Sequence, residues 1–304
     1  MAAEVAIVDA PLRRCGWEPW EGSQSLPRCY AAGTAGRLRT RLASPRNDQR
    51  DELRQGMQAS QRTLRLVVEY DGTDFAGWQR QDGQRTVQGC LEEALRTMTG
   101  QDVLVRGAGR TDAGVHALGQ VASVDVVSRI PPLGFLRGLN TLVPPAIAVL
   151  EVTDMPVGWN ARHGARGKIY RYLVWNHAVR SPEHARRAWH VYDVLDTQAM
   201  REAAAVLLGE HDFRAFRSSD CDRKNTVRII RRFDVRRAGA LLSLEIEGTA
   251  FLRNMVRILT GTLVAVGKGK MTVTQVRHLL QSGDRTQAGV TAPACGLTLV
   301  RVIY

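Results

Sequence analysis

Two successive passes of strand, helix, strand, strand, helix, strand run through residues 63–304, and that order leaves few folds open. TLRLVVEY (63–70) alternates and is rich in β-formers, as a half-buried strand requires. Thr86 stands where a helix cap belongs, and Val87, Leu91, Ala94 and Leu95 fall on one face of a helix reaching about Met98. Strands are expected at 102–107 and 118–126, a short helix at 132–140 and a strand at 147–153. The second pass opens with KIYRYLVW (168–175) and continues through a helix capped by Asp196 to about Leu208, then strands at 226–237 and 240–248. Helices follow at 252–266 and 273–282, the second opened by a Thr272/Gln275 capping box, and GLTLVRVI (296–303) closes as a strand. Each pass is a β-α-β-β-α-β unit, the ferredoxin-like split arrangement, with one extra helix in the second. The expected class is therefore α+β: two ferredoxin-like halves, 63–158 and 159–304, forming an extended, mostly antiparallel sheet with a central active-site cleft where they meet.

Residues 1–62 read differently. They mix Pro, Gly, Ser and Trp without periodicity, carry 10 Arg and 7 acids, and are expected to form a disordered extension. Glu4, Asp9, Glu18 and Glu21 argue against a targeting peptide, and Met57 just ahead of the first strand suggests an alternative start. No apolar run approaches the roughly 20 residues of a membrane helix. The five cysteines, at 15, 29, 90, 221 and 295, are scattered and odd in number, which excludes a secreted disulfide scaffold and a paired-cysteine zinc module. A reducing, cytoplasmic setting is the expectation. With 42 Lys and Arg against 30 acids, the net charge of +12 points to a polyanionic partner.

The segment RGAGRTDAGVHALGQV (106–121) places Arg110, Thr111, Asp112 and His116 in a loop with four glycines between two strands. Glycines there let the backbone approach a ligand closely. The plain alternative is a glycine-rich hairpin in which Asp112 caps a turn and pairs with Arg110. No GK[ST] follows, so this is not a phosphate-binding P-loop, and it does not open a helix as a dinucleotide fingerprint would.

This block occurs in one order with YDGTDFAGWQRQ (70–81), TVQGCLEEAL (86–95), NARHGARGKIYRY (160–172) and FLRNMVRILTG (251–261). Together they resemble the TruA-type tRNA pseudouridine synthases over residues 63–304. The resemblance implies isomerisation of uridine to pseudouridine at positions 38, 39 and 40 of the tRNA anticodon stem-loop, with no metal or organic cofactor, by a homodimer spanned by the tRNA. It carries the family's catalytic aspartate onto Asp112 and the neighbouring arginine of that motif onto Arg110. The substrate-stacking tyrosine falls on Tyr170 and the arginine that approaches the aspartate on Arg257.

The reaction breaks the N1–C1′ bond, turns the uracil over and joins C5 to C1′. It is redox-neutral, so it asks for no nicotinamide, flavin or metal. A carboxylate either attacks C1′ or removes the 2′ proton to give a glycal, and both routes stay open from sequence. Either way Asp112 must be ionised, which an adjacent guanidinium favours. Arg257 is the first candidate for that pairing, with Arg110 suited to a phosphate or to the space left by a displaced nucleotide. Tyr170 can hold the uracil face by stacking.

Weaker candidates are read as structure. Trp78 is expected in the core, His116 as loop support, and Phe213 and Phe216 as packing inward from a loop that contains His211 and Asp212. His163 is expected to be structural or an RNA contact, and Arg228, Arg231 and Arg232 to divide between the two faces of a strand. Two other function classes compete. An RNA-binding module on a duplicated sheet would want more aromatics than six Phe and six Tyr. A divalent-metal phosphodiesterase would want clustered acids or histidines, and only one carboxylate stands out.

Overall fold

The computed structural model describes residues 60–219 and 224–304. The expected extension, 1–62, lies outside the described residues up to position 59; from Gln61 the chain is already in the first strand.

Ten strands and five helices follow one another in the described chain. They are β1 (Gln61–Tyr70), α1 (Val87–Thr99), β2 (Arg106–Gly107), β3 (His116–Val127), α2 (Pro132–Leu142), β4 (Ile147–Met155) and β5 (Gly167–Asn176). Then come β6 (Trp189–Val191), α3 (Thr197–Val206), β7 (Gly209–Asp212), β8 (Val227–Ala238), β9 (Leu241–Gly248), α4 (Met255–Gly267), α5 (Val273–Ser282) and β10 (Leu297–Ile303). The strands form one sheet in the order β4-β1-β3-β10-β5-β9-β8-β7, with β2 beside β3 and β6 beside β5. Pairing is antiparallel except for β3 with β10 and β5 with β6. The order β4-β1-β3-β2 in the first pass recurs as β10-β5-β9-β8 in the second, which is the ferredoxin-like order twice over.

Local chemistry sets the helix starts. The Thr86 hydroxyl accepts from Gly89 N, the Asp196 carboxylate from Gln198 N and Ala199 N, and Thr272 and Gln275 form the reciprocal capping box. α4 is apolar nearly all round and lies in the core, with Ile258, Leu259 and Leu263 fully buried.

Three expectations are corrected. Residues 102–105 are not strand, because the buried Glu92 carboxylate of α1 takes the Val105 N–H at 3.0 Å and only Arg106–Gly107 join the ladder. Residues 209–212, expected as loop, pair with β8 as β7, although Phe213 and Phe216 do pack inward, both fully buried. The helix expected from 252 starts at Met255, after Asn254 takes a left-handed conformation at φ 59°.

The pairing of β3 fixes where the glycine-rich loop sits. β2 meets β3 only at Ala122 and Ser123, while the opposite end of β3, at His116 and Ala117, pairs with Thr298 and Leu299 of β10. The loop 108–115 therefore spans the seam at which the first pass of strands joins the second. Leu299 pairs in turn with Tyr170 of β5, so the loop and the tyrosine are brought to neighbouring strands.

Candidate active site

The loop is anchored from below. The Thr111 hydroxyl is 2.8 Å from that of Tyr70, and the Thr111 carbonyl accepts from Trp78 N at 3.0 Å. Gln120 donates to the Gly109 carbonyl at 2.8 Å. Burial holds the Tyr70 hydroxyl protonated, pushed up to about 12 against the lowering effect of its hydrogen bonds to Thr111 and Gln120. With Thr111 turned inward and 7% exposed, the next side chain, Asp112, faces out, its carboxylate 36% exposed. The Asp112 carbonyl accepts from Val115 N at 3.1 Å and closes a turn whose third residue, Gly114, has φ 77°, a value few side chains tolerate.

Arg257 comes to Asp112 from the first turn of α4. Its Nη1 lies 3.5 Å from Asp112 Oδ2 and donates to Asn254 Oδ1 at 3.0 Å, while Nε donates to the Ala292 carbonyl at 2.7 Å. Ala292 N in turn donates to the Arg257 carbonyl at 3.2 Å, so the guanidinium is fixed to the 289–292 segment before it reaches the carboxylate. That segment lies directly on α4 because position 261 is glycine; a Cβ there would run into the Val290 carbonyl.

Tyr170 completes the group. It is 7% exposed and meets Phe251 edge-on, centroids 5.2 Å apart at 86°. Burial above all, then the neighbouring Tyr70 and Asp112, hold its hydroxyl protonated far above the ordinary tyrosine range. A carboxylate, a guanidinium held by the protein and a neutral aromatic ring thus share one site. Such a set can stabilise charge and stack a planar base.

The model for the family described as tRNA pseudouridine synthase matches residues 66–163 and 203–304. The chain belongs to this family. A tRNA pseudouridine synthase A from Citrifermentans bemidjiense is 48% identical over 244 residues, covering 80% of this chain and 98% of the relative. Proteins of the same name from a Geobacter species (strain M21) and from Myxococcus xanthus are each 47% identical, over 80% and 79% of this chain and 99% and 91% of their own lengths.

Within this pseudouridine synthase family member, Arg257 reaches Asp112, and Tyr170 lies within electrostatic reach of the same carboxylate. Arg110 does not pair with Asp112; it is exposed and makes no ion pair among the described residues. Trp78 is in the core at 1% exposure, and His163 is exposed. His116 is fully buried as loop support: Gly72 N donates to Nδ1 and Nε2 donates to the Cys295 carbonyl, each at 3.1 Å. Arg232 bridges Asp234 and Glu245 on one face of the sheet.

Among the described residues, no three His, Cys, Asp or Glu side chains are placed to hold a metal ion, and no helix is long and apolar enough to cross a membrane. Sequence reasoning passed over two supports of the site. Asn254 had a signal, since asparagine is a favoured residue at left-handed backbone positions. Phe251, the wall behind Tyr170, opens the FLRNMVRILTG block but carried no signal for that role beyond being apolar.

Proposed function

We propose that this chain isomerises uridine to pseudouridine in the anticodon stem-loop of tRNA, at positions 38, 39 and 40, with Asp112 as the catalytic carboxylate. The observation that carries the reading is the 3.5 Å approach of Arg257 to Asp112 beside the buried ring of Tyr170. Family membership and the names of the relatives support the same reaction. Asp112 acts at the ribose, either on C1′ or on the 2′ proton. As the N1–C1′ bond breaks and C5 joins C1′, N1 gains a proton and C5 loses one. Arg257 orients the Asp112 carboxylate, and Tyr170 holds the uracil face while the base turns over. Arg110, exposed and without an acid partner among the described residues, meets a phosphate or fills the space of the displaced nucleotide. The reaction needs no cofactor. The enzyme works in the cytoplasm as a homodimer.

Tritium release from 5-tritiated uridine in whole tRNA transcripts tests this, with wild type and Asp112→Ala compared at matched RNA occupancy. Release by wild type alone is expected. Release by neither would turn the reading toward RNA binding without catalysis, and release by both would remove Asp112 from the chemistry. Sedimentation of the free protein checks the dimer.

A further inference from the structure

Lys168 is one of only four lysines in the chain, and its setting is unusual for a cation. It is half-buried on β5, two residues before Tyr170 and therefore on the same face of the strand. Among the described residues it makes no hydrogen bond and no ion pair, whereas Lys268 is held by Asp193. Its Nζ lies on the backbone of the glycine-rich loop, 2.7 Å from where a Cβ of residue 109 would stand, so only glycine leaves the ammonium that seat. The seat is firm, because Gln120 donates to the Gly109 carbonyl and Ala108 N donates to the Val121 carbonyl at 2.7 Å.

The surroundings add positive charge. Burial, and then the Arg162 guanidinium, lower the Lys168 ammonium to about 8. Arg110, the residue after Gly109, is exposed, and neither Arg110 nor Arg162 has a carboxylate partner among the described residues. A half-buried ammonium with no partner among the described residues, acted on by the Arg162 guanidinium, costs the free protein stability; an anion from outside would relieve that cost.

We propose that Lys168 is an RNA-binding residue that takes a phosphodiester oxygen of the strand flanking the reacting uridine, and so positions that nucleotide between Asp112 and Tyr170. The inference rests on the RNA substrate proposed above. An ammonium is a compact point charge that suits a single phosphate oxygen.

The test compares wild type, Lys168→Met and Lys168→Arg on an unmodified tRNA transcript at pH 7. Filter binding over a salt series, tritium release and thermal melting of the free protein are the readouts. Lys168→Met is expected to weaken binding about tenfold and to flatten the slope of log Kd against log salt by about 0.9, as one lost phosphate contact does. KM should rise with it while kcat changes less than KM, and the RNA-free protein should melt a few degrees higher than wild type. Lys168→Arg should restore the salt slope. Unchanged affinity and slope in Lys168→Met would overturn the proposal. So would a loss of kcat at unchanged affinity, or a lower melting temperature with no rescue by arginine. If wild type itself neither binds the transcript nor releases tritium, the reading of the substrate fails and the proposal fails with it; if wild type does both and Lys168→Met matches it, the assignment of Lys168 alone fails.

Discussion

Arg257 and Asp112 stand 145 residues apart in the chain and 3.5 Å apart in space, and the arginine is fixed to Ala292 and Asn254 by shorter hydrogen bonds than the one it offers the carboxylate. The guanidinium is thus oriented whether or not Asp112 is engaged, which leaves the carboxylate free to act on a substrate. Arg257→Ala is expected to lower kcat roughly 10²-fold, the usual effect of losing one preorganised donor at a site of developing charge. Arg257→Lys should recover only part of it, because an ammonium cannot serve Ala292, Asn254 and Asp112 in one fork. Single-turnover tritium release with saturating enzyme measures this, and equal rates for wild type and Arg257→Ala would refute it.

Arg110 separates catalysis from binding. Arg110→Ala should lose activity by a larger factor than affinity, because the side chain leaves the same loop as Asp112. Exposed arginines elsewhere, such as Arg277 on α5, should when changed to alanine mainly weaken binding, and less so at high salt. Affinity and single-turnover rate measured on the same transcript check the division; equal losses of affinity from both kinds of variant would count against it.

What the sequence made legible here was local. Thr86, Asp196 and the Thr272/Gln275 pair cap their helices because capping needs only residues three apart. The alternation in 63–70 placed β1 for a similarly local reason. The missing strand at 102–105 shows where such reading ends, since its deciding partner, Glu92, sits on another element and is legible only once α1 is packed. Of the candidate site, Asp112, Arg257 and Tyr170 were named through the family motifs; spacing alone left open a plain turn in which Arg110 pairs with Asp112. That Lys168 has no acid beside it among the described residues depends on which loops meet β5, and nothing in KIYRY encodes it locally.

His116 ties the loop to the rest of the fold as a neutral ring. Burial, followed by the Arg187 charge, lowers its pKa below the ordinary value near 6.5, against the pull of Asp71 at 3.1 Å, and Arg187 offsets that pull by pairing with the other Asp71 oxygen at 3.0 Å. The folded state therefore binds its proton less readily than the unfolded chain does. Stability from this residue is fully present above about pH 6.5 and falls as pH drops from there toward the lowered folded value. His116→Gln should flatten that part of the profile. Urea denaturation of both proteins from pH 7.5 to 5 reads it, and parallel profiles would refute the assignment.

Gly261 is the point at which packing far from the substrate sets the geometry of Arg257. A Cβ at 261 would meet the Val290 carbonyl, and relief requires the 289–292 segment and α4 to move apart. That segment carries Ala292, which holds Arg257 through two reciprocal hydrogen bonds. Gly261→Ala, although alanine is the better helix former, should cost about 1–3 kcal/mol through overpacking. It should also lower kcat by more than the unfolded fraction explains, because the guanidinium loses its anchor. Calorimetry gives the first effect and single-turnover tritium release well below the melting temperature gives the second. A variant that melts lower but turns over at the wild-type rate would show that Arg257 does not depend on Ala292 for its aim at Asp112.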